Sequence, residues 1–352
     1  MESRNINLDI AKFVAILFVI SEHVLSEITI TFSNEVNWNL GILIWSFIKI
    51  NVPVFLIVTA HLSFAGKLNV DTFFLKKLNR IAIPVIFWSL FYYVFYSYSF
   101  DGLTISGAIH SVLDGSSMYH LYFMYWFIGL SFFIPFVKLL HERSGKAFVL
   151  YFSILVIATS LIPTLNTLLG LGIDFFDATG IAKFGFLMFY AFVPGVSCIL
   201  FKVNKRKIFT SSLFWFVVYT INALISALIV LYFYYFNGVK IQAILNGGSI
   251  FVLISAFAFY NGIMNLKIKD SAAFKKFITF NSSASFGVYL VHPALLYFVL
   301  VYIYRPIVSH YTNGSNYLSL AYFIVCVLAL YITSVAVTYL TSKVKYLRKC
   351  II

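Results

Sequence analysis

A lysine and a histidine lie eleven residues apart in a stretch of this sequence that is otherwise almost wholly apolar. The stretch AKFVAILFVISEHV contains Lys12 near its start and His23 near its end. Eleven helical steps of about 100° return to within about 20° of the starting direction, so both side chains share one face, about 16 Å apart along the axis. One helix then presents a cation at its entrance and, deep inside, an imidazole, the group best suited to move protons near neutral pH.

Two acids lie near this imidazole. Glu22 points about 100° away from His23 around the helix, whereas Glu27, four residues further on, lies on the same side and could orient the ring. An ionisable group inside a membrane costs about 2.5 to 3.5 kcal/mol and usually faces a cavity or a partner. The pattern therefore favours a functional His23; the alternatives are a packing role for His23 and ordinary snorkelling for Lys12.

A second candidate site begins the apolar segment FLKKLNRIAIPVIFW. Lys77 and Arg80 are three residues apart and so lie on one helical face, with Lys76 beside them. Such a cluster can bind phosphate groups through charge-assisted hydrogen bonds. The alternative is a basic anchor on the cytoplasmic side of a membrane span.

Two further candidate groups contain histidine among aromatic residues. His120 opens the run HLYFMYWFIGL, where it could line an outer pocket or belong to an interfacial aromatic belt. In SFGVYLVHP, Ser285, Tyr289 and His292 lie within a turn or two of each other, and Gly287 permits close approach of another helix. Hydrogen bonds between helices are the alternative role for Tyr289 and His292.

The elements that position these residues are predicted to be membrane helices. Of the 352 residues, 61% are hydrophobic and only 11% are charged, and the mean hydropathy is +0.94, values that exclude an ordinary soluble domain. Apolar runs of about 20 residues predict an all-α polytopic membrane protein with about ten spans in a single domain, 1–352. The predicted spans are 8–28, 41–64, 81–98, 119–140, 147–168, 182–200, 212–236, 246–265, 279–303 and 318–341. A stretch from Ile105 to Leu113 is too short to cross and is expected at the interface.

The basic residues predict the orientation of the chain. With the N-terminus inside, all 25 lysines and arginines fall in cytoplasmic segments except Lys49, Lys183, Lys240 and Arg305. Loops rich in these residues stay cytoplasmic, so both termini are expected there. This rule, with anionic lipid, accounts for the net charge of +13 without nucleic-acid binding. Cys198, Cys326 and Cys350 fit no metal-ligand spacing, and no metal site is predicted.

The four candidate sites resemble, in the same order, the motifs of the acyltransferase-3 family, bacterial membrane enzymes that modify extracytoplasmic polysaccharides from cytoplasmic acyl-CoA. That family's first span has Arg or Lys, ten residues and then His, matched here by Lys12 and His23. Its R-x-x-R pair before an I-x-P turn resembles Lys77 to Arg80 followed by Pro84.

The later motifs extend this resemblance over nearly the whole chain. The H-L-W-F-L-Y run of stand-alone O-acetyltransferases resembles the segment that starts at His120, with Tyr122 in place of the tryptophan. The S-F-G-x-Y-L-x-H signature is matched from Ser285 to His292. The family's F-F-x-x-S-G of the second span appears here as FLIVTAH, which departs from the pattern.

The resemblance implies an O-acetyltransferase of the bacterial cytoplasmic (inner) membrane. Acetyl-CoA would be the donor, and a hydroxyl of an exported or lipid-linked cell-surface saccharide the acceptor, with membrane lipid around the protein. His23 would remove the hydroxyl proton or accept the acyl group itself, and Glu22 or Glu27 would set its tautomer. The donor phosphates would be bound by Lys12, Lys77 and Arg80, and the acceptor would be positioned by His120, Tyr289 and His292.

The sequence is also compatible with two other functions. Polar groups inside membrane spans are also typical of a secondary transporter or an exporter of a lipid-linked sugar, although the seven prolines show no repeat symmetry of the kind found in transporters. The donor could instead be a different acyl-CoA, which would make the protein an O-succinyltransferase acting on a secreted polysaccharide.

Overall fold

A computed structural model describes residues 4–31, 35–65, 70–97, 102–115, 117–172, 181–203, 207–269, 271–298 and 316–351. Every regular element within these ranges is helical, which confirms the all-α part of the prediction for these residues. The α-helices are α1 (Ile6–Thr31), α2 (Glu35–Ile48), α3 (Asn51–Ala65), α4 (Val70–Ser97), α5 (Ile105–Leu113), α6 (Tyr122–Arg143), α7 (Gly145–Val156), α8 (Ile162–Leu169), α9 (Ile181–Val203), α10 (Ser212–Asn237), α11 (Ile250–Met264), α12 (Ala272–Phe298) and α13 (Asn316–Lys343).

Each of the ten predicted spans overlaps at least one of these helices. By length and composition, the described residues contain 6 segments able to cross a membrane. These are Trp38–Phe64, Tyr122–Arg143, Gly145–Leu169, Ser212–Asn237, Gln242–Met264 and Leu320–Lys343, and Arg80–Phe95 and Met188–Lys202 are shorter apolar helices. The number of crossings and the side on which the termini lie stay predictions.

The second predicted span, 41–64, is not one continuous helix. A turn at Lys49 and Ile50 separates α2 from α3. Proline is well tolerated in the first turn of a helix, where its missing N–H would have no intrahelical partner, and Pro53 occupies such a position in α3. The break matters for the site, because it directs Lys49 and Asn51 toward α1.

Helix α1 lies at the centre of the bundle and packs against α3, α12 and α13. The small residues Ala11 and Ala15 are almost fully buried on it, and small side chains let helices approach closely inside a membrane protein. Asp9 of α1 accepts a hydrogen bond from Ser282 of α12, and fourteen residues later His23 stacks on His292. Residue numbers rise together along both helices, so α1 and α12 run parallel.

Gly287 sets the distance between α12 and α13. A Cβ atom at this position would overlap the Cγ2 atom of Thr338 on α13. The sequence-based expectation that Gly287 permits close helix approach is therefore confirmed. The contact therefore sets how closely α12 packs against α13. Helix α12 carries residues of both clusters described below.

The turn before α6 is held on two sides. Leu121 is fully buried in this turn, and the hydroxyl of Tyr125 on α6 donates to the backbone oxygen of Val112 on α5. Helix α5 matches the short stretch expected at the interface, and its side chains Ile105, Ile109 and Leu113 form an exposed apolar stripe at i, i+4 spacing. These contacts place His120 against the bundle.

Candidate active site

Three histidines from separate parts of the chain meet at one point. His23 comes from α1, His120 from the turn before α6, and His292 from α12. The His23 and His292 rings are stacked with centroids 5.2 Å apart and an interplanar angle of 29°, and the His120 ring meets the His292 ring edge-on at 5.7 Å. We call these three residues the histidine cluster.

Aromatic side chains enclose this cluster. Tyr119 lies 5.0 Å from the His23 ring, while Tyr92 and Tyr289 lie 5.2 and 5.3 Å from the His120 ring, measured between ring centroids. Tyr92 and Tyr289 thus pack around the buried ring of His120, and Tyr119 lies beside the ring of His23.

Two tyrosine hydroxyls hold these aromatic side chains in place by hydrogen bonds to backbone oxygens. Tyr289 donates to the backbone oxygen of His120, and Tyr92 on α4 donates to the backbone oxygen of Leu290 at 2.7 Å. Tyr289 thus joins α12 to the turn that carries His120, and Tyr92 joins α4 to α12. Tyr289 was predicted to position an acceptor, and in the structure its hydroxyl directly positions His120.

The histidine cluster contains buried polar atoms without a hydrogen-bond partner. His120 is 2% exposed and His292 is fully buried. Among the residues that the structure describes, neither ring nitrogen of His120 nor Nε2 of His292 has a partner. Leaving a buried polar atom unsatisfied costs about 1 to 3 kcal/mol, and such atoms in folded proteins usually mark a ligand, a catalytic group or water.

Glu22 has partners on a neighbouring element. Its carboxylate accepts hydrogen bonds from Lys49 and Asn51, at the break between α2 and α3, and forms an ion pair with Lys49. The side chains of Glu22 and Lys49 are only 20% and 24% exposed. The opposite charges of this pair balance each other next to His23 on α1. The role of Glu22 in setting the tautomer of the His23 imidazole stays a prediction.

The other end of α1 carries a group of paired charges, which we call the charge cluster: Arg4, Asp9, Lys12 and Ser282. Arg4 Nε lies 2.5 Å and Lys12 Nζ 3.2 Å from carboxylate oxygens of Asp9, and the Ser282 hydroxyl donates to the same carboxylate at 2.7 Å. The Asp9 side chain is 3% exposed, whereas that of Arg4 is 51% exposed. Two cations surround one buried carboxylate, so the cluster keeps surplus positive charge.

The basic pair predicted on α4 lies only partly within the described residues. Arg80 is exposed at the surface of α4, four residues before Pro84. Lys77 belongs to the same helix, but its side chain lies outside the described residues. The structure therefore places the backbone of this motif and the Arg80 side chain.

Two other ionisable residues near predicted spans have structural partners. His61 of α3 shares a 2.6 Å hydrogen bond between Nδ1 and the hydroxyl of Tyr260 on α11. Lys138 of α6 is 6% exposed and donates to the backbone oxygen of Phe64 at 3.1 Å, at the end of α3. These contacts join helices outside the histidine cluster.

Sequence reasoning missed the partners that hold the candidate residues. Asp9 and Lys12 are three residues apart, a spacing that does predict an ion pair on one helix face. Lys49 falls inside the predicted span 41–64, and a cation inside a span is a signal for a buried partner. The role of Tyr92 carries no local signal in the sequence. Within the described residues, no group of three potential ligands has a metal-binding arrangement.

Comparison with known proteins gives one match. A family model described as an acyltransferase domain, that of the acyltransferase-3 family, matches residues 5–339. The match covers every residue of both clusters except Arg4. No curated protein and no solved structure matches the chain.

Proposed function

The chain belongs to the acyltransferase-3 family, and from this premise we propose that it is a membrane O-acetyltransferase that moves an acetyl group from acetyl-CoA to a hydroxyl of an exported or lipid-linked cell-surface saccharide. The observation that carries the proposal is the convergence of His23, His120 and His292 among aromatic side chains, where both ring nitrogens of His120 and Nε2 of His292 have no partner within the described residues. Acyl transfer to a hydroxyl needs a group that takes its proton, and imidazole is the side chain that most often does so.

The charge cluster fits the donor end of such a reaction. Acyl-CoA carries several phosphate charges, which keep it on the cytoplasmic side, while its thin pantetheine arm can reach inward. Lys12 and Arg4 together outweigh the charge of Asp9, and Arg80 is exposed to solvent on α4. We assign the donor phosphates to Lys12, Lys77 and Arg80.

The acyl group would travel along α1 from the charge cluster to the histidine cluster. Lys12 and His23 are separated by about 16 Å of helix, from eleven residues at about 1.5 Å each. The parallel helix α12 lines the same route, since Ser282 touches the charge cluster and His292 the histidine cluster. His23 then acts as base or as acyl acceptor, and His120 and His292 face the saccharide hydroxyl.

The test is release of CoA by inverted membrane vesicles that contain the full chain. We expect release with acetyl-CoA, acetyl esters on the envelope glycan, and little release with succinyl-CoA. His23→Ala should lower the rate by about 10² to 10⁴, the usual contribution of a general base. His110→Ala is a matched control, because His110 is an exposed histidine of α5 whose side chain is 69% exposed.

Three results would contradict the proposal. A normal rate of glycan acetylation in His23→Ala vesicles would remove His23 from the reaction. Faster release from succinyl-CoA would make the protein an O-succinyltransferase. No CoA release from any acyl-CoA, together with movement of a lipid-linked sugar across the membrane, would make it a transporter.

A further inference from the structure

The hydrogen bonding of His292 fixes which of its nitrogens carries the proton. Nδ1 lies 3.1 Å from the backbone oxygen of Val288, one turn earlier on α12. A carbonyl oxygen can only accept a hydrogen bond, so Nδ1 must be the protonated nitrogen. In the neutral ring, Nε2 then carries a lone pair that can accept a hydrogen bond or a proton.

Nothing in the described part of the chain meets this lone pair. Nε2 of His292 is buried without a hydrogen-bond partner, and the centroids of the His23 and His120 rings lie 5.2 and 5.7 Å from the centroid of the His292 ring. A buried acceptor is complementary to an O–H or N–H group and not to the oxygen of an acyl group. The saccharide hydroxyl is therefore the part of the reacting pair that suits His292.

The fixed ring also suits base catalysis for a positional reason. Val288 and His292 are on the same helix, and Tyr92 anchors that helix by a bond to the backbone oxygen of Leu290. A base that is held by its own second nitrogen keeps both its tautomer and its direction during the reaction. His23, by contrast, stacks face-on against His292 and lies next to the ion pair of Glu22.

We propose that His292 is the general base of the transfer step, a role that rests on the proposed function of the chain. The hydroxyl O–H bond breaks and its proton goes to Nε2 of His292, while the oxygen bonds to the acyl carbon. The carbon–sulfur bond to CoA breaks, and the leaving thiolate takes the proton from His292 to form CoA thiol. When the acyl group first passes to His23, a ring nitrogen of His23 bonds to the acyl carbon, the carbon–sulfur bond breaks, and the leaving thiolate takes the N–H proton of the acylated ring. The hydroxyl oxygen then bonds to the acyl carbon, its proton goes to Nε2 of His292, and His292 passes that proton to the nitrogen of His23 that leaves.

Two substitutions remove the proton-accepting nitrogen of His292 and keep a polar group near the position of one of its two nitrogens. His292→Asn places an amide near the position of Nδ1 and removes Nε2, whereas His292→Gln reaches the position of Nε2 with a group that accepts a hydrogen bond but takes no proton. We expect both to lower acetyl transfer in inverted vesicles by about 10² to 10⁴. Affinity for a non-hydrolysable thioether analogue of acetyl-CoA should change by less than about threefold, since the donor phosphates bind at the other end of α1.

Added imidazole distinguishes a base from a structural residue. In His292→Ala, free imidazole should restore part of the transfer, with a rate that rises with the concentration of neutral imidazole. His110→Ala is the control for imidazole effects elsewhere on the protein. Melting temperature in detergent is measured for each variant.

The proposal is overturned if any of the His292 variants transfers acetyl within about tenfold of the unsubstituted protein, or if a lower melting temperature accompanies a loss that imidazole does not restore. Failure of the proposed function gives a different result, because the unsubstituted protein would then release no CoA.

Discussion

The buried polar side chains at the two ends of α1 differ in whether they have hydrogen-bond partners. At the charge cluster, a buried carboxylate is surrounded by Arg4, Lys12 and Ser282, and each contact is a hydrogen bond or ion pair. At the histidine cluster, both ring nitrogens of His120 and Nε2 of His292 are buried and have no partner among the described residues. Paired buried groups hold a structure together, whereas unpaired ones cost free energy.

The difference separates stability from activity along one helix. Replacing an unsatisfied buried polar group with an apolar one would stabilise the fold. Such groups therefore persist mainly where function requires them. We therefore expect substitutions in the histidine cluster to change catalysis with little effect on folding. Substitutions of Asp9 should do the reverse, and the predictions below test this contrast from its strongest case to its weakest.

The largest expected effect is that of His120→Phe. Phenylalanine fills a similar space among Tyr92 and Tyr289 but carries no polar atoms, so the cost of two unsatisfied nitrogens disappears. Acetyl transfer should fall by at least about 10²-fold, while the melting temperature stays equal or rises. CoA release and thermal unfolding in detergent measure both. Retained activity, or a clear loss of stability, would show that His120 serves only packing.

The second prediction concerns the carboxylate of the charge cluster. Asp9→Asn removes the charge that Arg4 and Lys12 share, and we expect a loss of about 1.5 to 3 kcal/mol of unfolding free energy, the contribution of hydrogen bonds to a charged group. The two cations have water access, which keeps the loss below that for a fully buried pair. Activity per folded molecule should change less than in His120→Phe.

A hydrogen bond at the surface supplies the control for Asp9→Asn. Asp114 lies 3.3 Å from His110, with side-chain exposures of 59% and 69%. Asp114→Asn should change stability by no more than about 0.5 kcal/mol. Equal melting temperatures for the Asp9 and Asp114 variants would contradict a structural role for the charge cluster.

The third prediction affects both ends at once. Gly287→Ala forces a methyl group against Thr338 and should displace α12 from α13 at a cost of about 1 to 3 kcal/mol. Because α12 carries Ser282 and His292, stability and activity should fall together. Thr338→Ser removes the Cγ2 atom and should restore both in the double variant. If the double variant is no better than Gly287→Ala alone, the contact with Thr338 is not the cause.

How far the sequence predicts this arrangement differs between the two ends. Helix periodicity alone predicts that Lys12 and His23 share a face, because both lie on one regular element. Periodicity also predicts that Tyr289 and His292 lie near each other. It cannot predict that His120 joins them, since that contact depends on how three separate helices pack.

The break between α2 and α3 shows why local sequence patterns do not predict the other contacts of the site. Residues 41–64 form a nearly unbroken apolar run, which predicts one span. What interrupts it is tertiary: Lys49 and Asn51 turn toward Glu22 of α1 instead of continuing the helix. The pairing of Asp9 with Ser282, 273 residues away, is likewise invisible to local patterns.

The last prediction concerns an ion pair beside the histidine cluster. Glu22 and Lys49 are paired like the charge cluster, yet Glu22 is next to His23 in the chain. If pairing decides the role, Glu22→Gln should cost about 1 kcal/mol of stability, and a double-mutant cycle with Lys49→Met should give a coupling energy of at least about 0.5 kcal/mol. Acetyl transfer should then fall by less than about tenfold.

The sequence-based assignment of Glu22 to the imidazole tautomer predicts a different outcome for the same variants. Glu22→Gln would lower the transfer rate far more than tenfold, and Lys49→Met would leave that loss unchanged because the ring, not the lysine, would be its target. Measuring both quantities on the four members of the cycle decides between them. A large loss of activity without coupling to Lys49 would extend the proposed catalytic region of α1 from His23 to Glu22 and weaken the contrast between paired and unpaired groups.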